Sequence, residues 1–171
     1  MSSRKWYLPS IFFQAILKAL VMLHYNFISQ GSFKATAAKV WRVIQNLEDM
    51  PAWWPGVNNA RIRGVDKTLR TGTLIDCSVK GLLGNLNFTL RVTELKTGRL
   101  LRLESNGGLK GSGLCTLEQN DDTTEVKFLW EVATTGWLMN LAGVIIKPIL
   151  AHNHDKVMAA GYNALKARIE S

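Results

Sequence analysis

Residues 86–95 read Leu86-Asn87-Phe88-Thr89-Leu90-Arg91-Val92-Thr93-Glu94-Leu95. In an extended chain Phe88, Leu90 and Val92 fall on one side and Asn87, Thr89, Arg91 and Thr93 on the other. A period of two sustained over this length predicts a strand with one apolar and one wet face. The alternation returns further on, where Val126, Phe128, Trp130 and Val132 oppose Lys127 and Glu131. Around these two lie further segments of strand length, so that 57–65, 72–79, 86–95, 100–105, 109–117 and 125–134 form a series. Short turn-forming clusters separate them: Asp66-Lys67, Gly81 with Gly84-Asn85, Thr97-Gly98, Asn106-Gly107-Gly108 and Asn120-Asp121-Asp122. Strands joined by such short turns run antiparallel, and a sheet apolar on one face needs a cover.

Residues 137–169 supply a candidate cover. The pattern is helical, with Pro148 forcing a kink or break. Beyond it, Leu150, Val157, Met158, Gly161, Ala164 and Leu165 project to one face, and Asp155, Lys156, Asn163 and Lys166 to the other. Ahead of the strand series, 24–33 alternates weakly and reads as a first strand. Thr36 is placed to cap a helix over 37–47, in which Val40, Trp41, Ile44 and Leu47 recur at three and four residues. Pro51 and Pro55 then bracket Trp53-Trp54 in a second short helix or turn, whose indoles are open to three readings: a pocket lip, membrane-facing aromatics or a packed helical turn. The expectation is an α+β chain: a curved antiparallel sheet of about seven strands, two short helices after strand 1, and a long C-terminal helix packed over an apolar cavity.

Particular residues give that order a family likeness. Ala37-Ala38-Lys39-Val40-Trp41, followed by Leu47-Glu48-Asp49-Met50-Pro51-Ala52-Trp53-Trp54-Pro55, resembles the opening of polyketide cyclase/dehydrase-type lipid-transport domains. Gly72 at the head of a strand, Gly111-Ser112-Gly113 in a late one, and the stretch Asn153 to Gly161 add to the resemblance. The likeness is to the START-like superfamily and covers about residues 22–170. It implies the helix-grip fold of the birch-pollen allergen. It implies no catalytic set, because the superfamily holds carriers, receptors, chaperones and cyclases.

The chain has 171 residues, enough for one sizeable core, and carries 21 Lys and Arg against 13 Asp and Glu. The net charge of +8 favours anionic surfaces. The basic residues are scattered singly, as in Arg61, Arg63, Lys67 and Arg70, with no basic arm and no helix-turn-helix, so nucleic acid is not the expected partner. Cys77 and Cys115 form no C-x-x-C pair, which argues against a disulfide scaffold or structural zinc and fits a reducing, cytoplasmic setting. His152 and His154 are two apart, not four, and no carboxylate completes a metal face. The glycines at 107, 108, 111 and 113 lie in a hairpin and make no phosphate loop. Gly111-Ser112-Gly113 is no nucleophile elbow. Neither a metal nor a cofactor is expected.

The expected partner is a small lipophilic molecule, a lipid, isoprenoid or polyketide-like aromatic, held by a monomer or weak dimer. Phe88, Leu90, Leu101, Leu103, Phe128, Trp130, Val157 and Gly161 are the expected wall, each open to the plainer reading of core packing. His154 projects into the apolar helix face between Leu150, Val157 and Met158. It is either a polar anchor for the ligand or a core histidine tied to a backbone carbonyl. A cyclase or dehydratase would use His154, with Asp76 or a tyrosine, as acid or base. Residues 1–21 form a separate apolar extension, with Ile11, Phe12, Ile16, Ala19 and Leu20 at helical spacing after Arg4 and Lys5. Its apolar run of about 16 residues falls short of the roughly 20 that span a bilayer. Three readings stay open: an interfacial helix on the membrane's inner face, where it would meet anionic lipid, a helix docked on the domain, or an extension upstream of a start at Met22.

Overall fold

The computed structural model describes residues 24–81, 84–134 and 155–170. The alternating stretch at 86–95 lies within its longest strand. In chain order the elements are β1 (His24–Phe33), α1 (Ala37–Ile44), a single 3-10 turn (Leu47–Asp49) and α2 (Met50–Trp53). Then come β2 (Val57–Ile62), β3 (Leu74–Gly81), β4 (Gly84–Lys96), β5 (Leu100–Gly107), β6 (Leu109–Asn120) and β7 (Thr123–Thr134). Helix α3 occupies 155–170. The apolar segment upstream of β1, the break at Pro148, and both His152 and His154 lie outside the described residues. Among the described residues no helix is long and apolar enough to cross a membrane.

The strands form one antiparallel sheet in the order β1-β7-β6-β5-β4-β3-β2, curled into a half-barrel. Consecutive strands from β2 to β7 pair; residues 63–73 join β2 to β3, and short turns join the strands from β4 to β7. The α1–α2 segment carries the chain from one edge of the sheet to the other. Thr36 starts α1 as expected, its Oγ1 accepting from Lys39 N at 3.3 Å. Gln119 Oε1, at the end of β6, accepts from Ala37 N at 2.5 Å and satisfies a second donor of that helix end. Val40, Trp41 and Ile44 bury one face of α1. The helix stops at Ile44 and not at Leu47, which is nevertheless buried from the 3-10 turn.

Glu48 locks that turn to β2, with Oε1 accepting from Ile62 N at 2.9 Å and from Lys67 Nζ at 3.0 Å. These contacts, the lysine first, hold its carboxyl below the usual range. β2 ends at Ile62, short of the expected Val65. Gly64 turns the chain with a φ of +90°, and Val65 is 99% exposed. On β6, Gly111 has a φ of +151°, and a Cβ there would overlap the Glu131 carbonyl of β7, so only glycine permits the approach.

Helix α3 covers the inner face of the sheet with the face expected of it. Met158, Gly161, Leu165 and Ile169 are buried, whereas Asp155, Lys156, Asn163 and Lys166 are exposed. Tyr162 ties helix to sheet: its ring stacks on Phe33 at 6.0 Å, and its hydroxyl donates to Val126 O at 3.4 Å. Burial raises its phenol above the ordinary range.

Candidate functional site

Between the curled sheet, the α1–α2 segment and α3 lies a cavity of about 300 Å³, the lower end of the range for ligand pockets. All seven strands contribute to its wall. From β4 and β5 come Phe88, Leu90, Leu101 and Leu103, the inward members of two alternating strands. From β7 come Phe128, Trp130 and Val132. Gly113, paired with Trp130 across β6 and β7, leaves the space that the indole occupies. A Cβ at 113 would stand only 2.9 Å from the ring. Phe27 of β1 and Ala60 of β2 complete the two edges. Ile44, Leu47, Met50 and Trp54 close the helical side, with Val157 and Met158 of α3.

Of the nine residues expected at the site, Phe88, Leu90, Leu101, Leu103, Phe128, Trp130 and Val157 are brought together around this cavity. His154 lies outside the described residues. Gly161 requires a correction. It is buried but faces no open space, because the Trp54 indole lies directly on it and a Cβ would overlap Cε2 and Nε1. Substitution by leucine would therefore collide with Trp54 before it could fill the cavity. Asp76, the carboxylate considered for acid–base work, is also misplaced for that role. It lies on the outer face of β3, where it takes a two-pronged bond from Arg63 (2.6 and 2.9 Å) and accepts from Thr89 Oγ1 at 3.0 Å. The Arg63 guanidinium first, then Thr89, holds its carboxyl below the usual range.

Cys77, Val79 and Cys115 on the wall are not among the residues expected from the sequence, whereas Trp54, for which a pocket lip is one of the open readings, is on it. The alternation of Ile75, Cys77 and Val79 against Asp76, Ser78 and Lys80 carried the signal for β3. Lys80 borders the cavity at its strand end, on the side of the strand shared by Asp76 and Ser78. The inward side chains described here are thus apolar, apart from two thiols and the indole N–H groups.

Both thiols are free. Burial, with a smaller contribution from the Asp76 charge, pushes Cys77 up to about 12 from an ordinary 9.0, and burial raises Cys115 as well. The unfolded chain gives up these protons first as pH rises, so the fold loses stability above 9.0 and toward 12. At about pH 8 both thiols are expected to react with Ellman's reagent at least about tenfold more slowly in the native protein than in urea. Equal rates would place the thiols in water.

These features belong to a known family. A family model for polyketide cyclase / dehydrase and lipid transport proteins matches residues 29–170. The chain belongs to that family. Among solved structures, the Zhui aromatase/cyclase from a Streptomyces species superposes with a TM-score of 0.68 at 13% identity, over 86% of this chain and 94% of that one. A START superfamily protein from Mycobacterium smegmatis gives 0.65 at 13% identity, over 86% and 98%. The protein Ara h 8.0201 gives 0.53 at 13% identity, over 85% and 99%. At such identities the likeness is one of fold, and it establishes the helix-grip architecture. No curated protein is a significant match to the sequence. Family membership explains the sheet, the helix and the cavity between them, and leaves the cargo to the side chains.

Proposed function

We propose that the chain binds and carries a small, uncharged lipophilic molecule, such as an isoprenoid, a neutral lipid or a polyketide-like aromatic. The observation that carries this reading is the cavity wall. Every strand contributes to it, and the inward side chains described bear neither a carboxylate nor an ammonium group. A charged ligand part held deep in the cavity, away from Lys80 at the strand end, would lose its hydration with no charged partner among the described inward side chains, at a cost of several kcal/mol. An apolar one gains about 25 cal/mol for each Å² removed from water.

A cyclase or dehydratase would need a proton donor or acceptor facing the ligand. Asp76 points away, bonded to Arg63 and Thr89. The Zhui aromatase/cyclase shares the fold at 13% identity, which transfers no chemistry. The test is a titration with the environment-sensitive dye N-phenylnaphthylamine. Saturable binding with a blue-shifted emission, displaced by a straight-chain alcohol, is expected. A dye signal no greater than that of an unrelated protein would end the proposal.

A further inference from the structure

Most of the described wall is hydrogen-bonded sheet, whose strands hold one another in place. At the α2–β2 turn the wall is a single side chain, Trp54, pressed against α3. Pro51 and Pro55 stiffen this turn. Trp54 N donates to Met50 O at 2.7 Å, and Trp54 O accepts from Val57 N at 3.1 Å. The indole meets the Phe128 ring edge-on at 5.7 Å, with Trp53 beside it at 5.4 Å. It rests on Gly161, where a Cβ would overlap Cε2 and Nε1. One helical turn earlier on α3, Val157 lies beside Gly56, its Cγ1 being 3.4 Å from where a Cβ would stand, an ordinary contact. Gly161 is thus the glycine that sets how closely turn and helix approach.

The geometry points to Trp54 as the residue that sets how long a ligand the cavity accepts, with Gly161 as a positioning residue that seats the indole. This rests on the lipophilic-binding reading and names what gives that site its selectivity. Trp54 lines the cavity and is 8% exposed, whereas Gly161 is not part of the wall. The indole is therefore an end wall with helix backbone behind it. A side chain at 161 must push the ring off the helix toward the cavity and shorten the space. Truncating the indole joins the cavity to the room above Gly161.

The test displaces N-phenylnaphthylamine from the full chain with straight-chain alcohols from octanol to hexadecanol. In the unaltered protein each methylene that fits tightens binding about fourfold, until a limiting length beyond which the gain stops. Trp54→Ala is expected to move that limit to longer alcohols, Trp54→Phe to move it less, and Gly161→Ala to move it to shorter ones. Adding Gly161→Ala to Trp54→Ala should change nothing further, because no indole remains to be displaced. That loss of effect separates the pair from two independent packing defects. Trp54→Phe keeps a ring in the seat, so it answers the question if an alanine variant fails to fold. A limit unmoved in folded Trp54→Phe and Gly161→Ala overturns the inference. Failure of the dye to bind the unaltered chain overturns instead the binding reading beneath it.

Discussion

Replacing Ala60 by phenylalanine is expected to abolish tight binding of N-phenylnaphthylamine while the fold survives. Ala60 sits on β2 facing inward, 6% exposed, opposite Cys77 on β3. Its side chain is a single methyl group, and it borders the cavity beside larger side chains such as Phe88 and Leu90. A phenyl ring there has somewhere to go, which is the difference from overpacking a filled core. β2 is also an edge strand of six residues with a register shift between Val57 and Asn59, so its backbone can give slightly. The new ring would take the volume that one ring of the dye needs. Losing burial of one aromatic group costs about 1.5–3 kcal/mol, or roughly a tenfold to hundredfold rise in Kd. Dye titration reads the loss and circular dichroism the fold. Undiminished binding by folded Ala60→Phe would place the dye elsewhere on the molecule.

Phe33→Ala is expected to cause the largest loss of stability among single truncations at the sheet–helix contact. The ring is 1% exposed at the end of β1 and stacks on Tyr162 of α3. Tyr162 in turn lies over Gly31, and its ring centroid is 6.1 Å from that of Phe128. Phe33 is thus where the first strand is pinned under the last helix. Removal of a buried phenyl group costs about 3–5 kcal/mol, a large share of a domain's typical stability. For a chain of this size that corresponds to a fall in Tm of about 10 °C. The exposed Val65 provides the contrast, since Val65→Ala should leave Tm unchanged. A thermal melt of the two variants decides the matter, and equal melting points would contradict the packing described.

Much of the fold is legible in the sequence because its signals are periodic. Phe88, Leu90 and Val92 declare an inner face on their own, and the turn clusters between strands specify antiparallel neighbours. Seven of the nine expected site residues follow from the same two periods, two in strands and 3.6 in the helix. The remainder depends on what meets what. A helical projection puts Gly161 on the apolar face but cannot say that an indole from a turn more than a hundred residues earlier fills the space above it. Trp53-Trp54 lies between prolines in a turn without a period, so nothing local tells which ring faces the cavity. Asp76 is drawn outward by Arg63, a partner 13 residues away across a pair of strands, and by Thr89 on the next one. Long-range pairings of this kind leave no trace in a single sequence. The end of β2 falls short of the expected Val65 for a simpler reason: the backbone at Gly64 has already turned away.

The central claim is that the cavity holds an uncharged apolar molecule. Native mass spectrometry of the freshly purified full chain tests it most directly, before and after extraction with organic solvent. The account predicts a bound species of small mass that is absent after extraction, ionises poorly in free form as a neutral hydrocarbon-rich compound should, and is displaced by N-phenylnaphthylamine. A chain that carries no such species and does not take up the dye would contradict it, as would a co-purified ligand that is ionic and remains bound when Ala60→Phe fills the cavity.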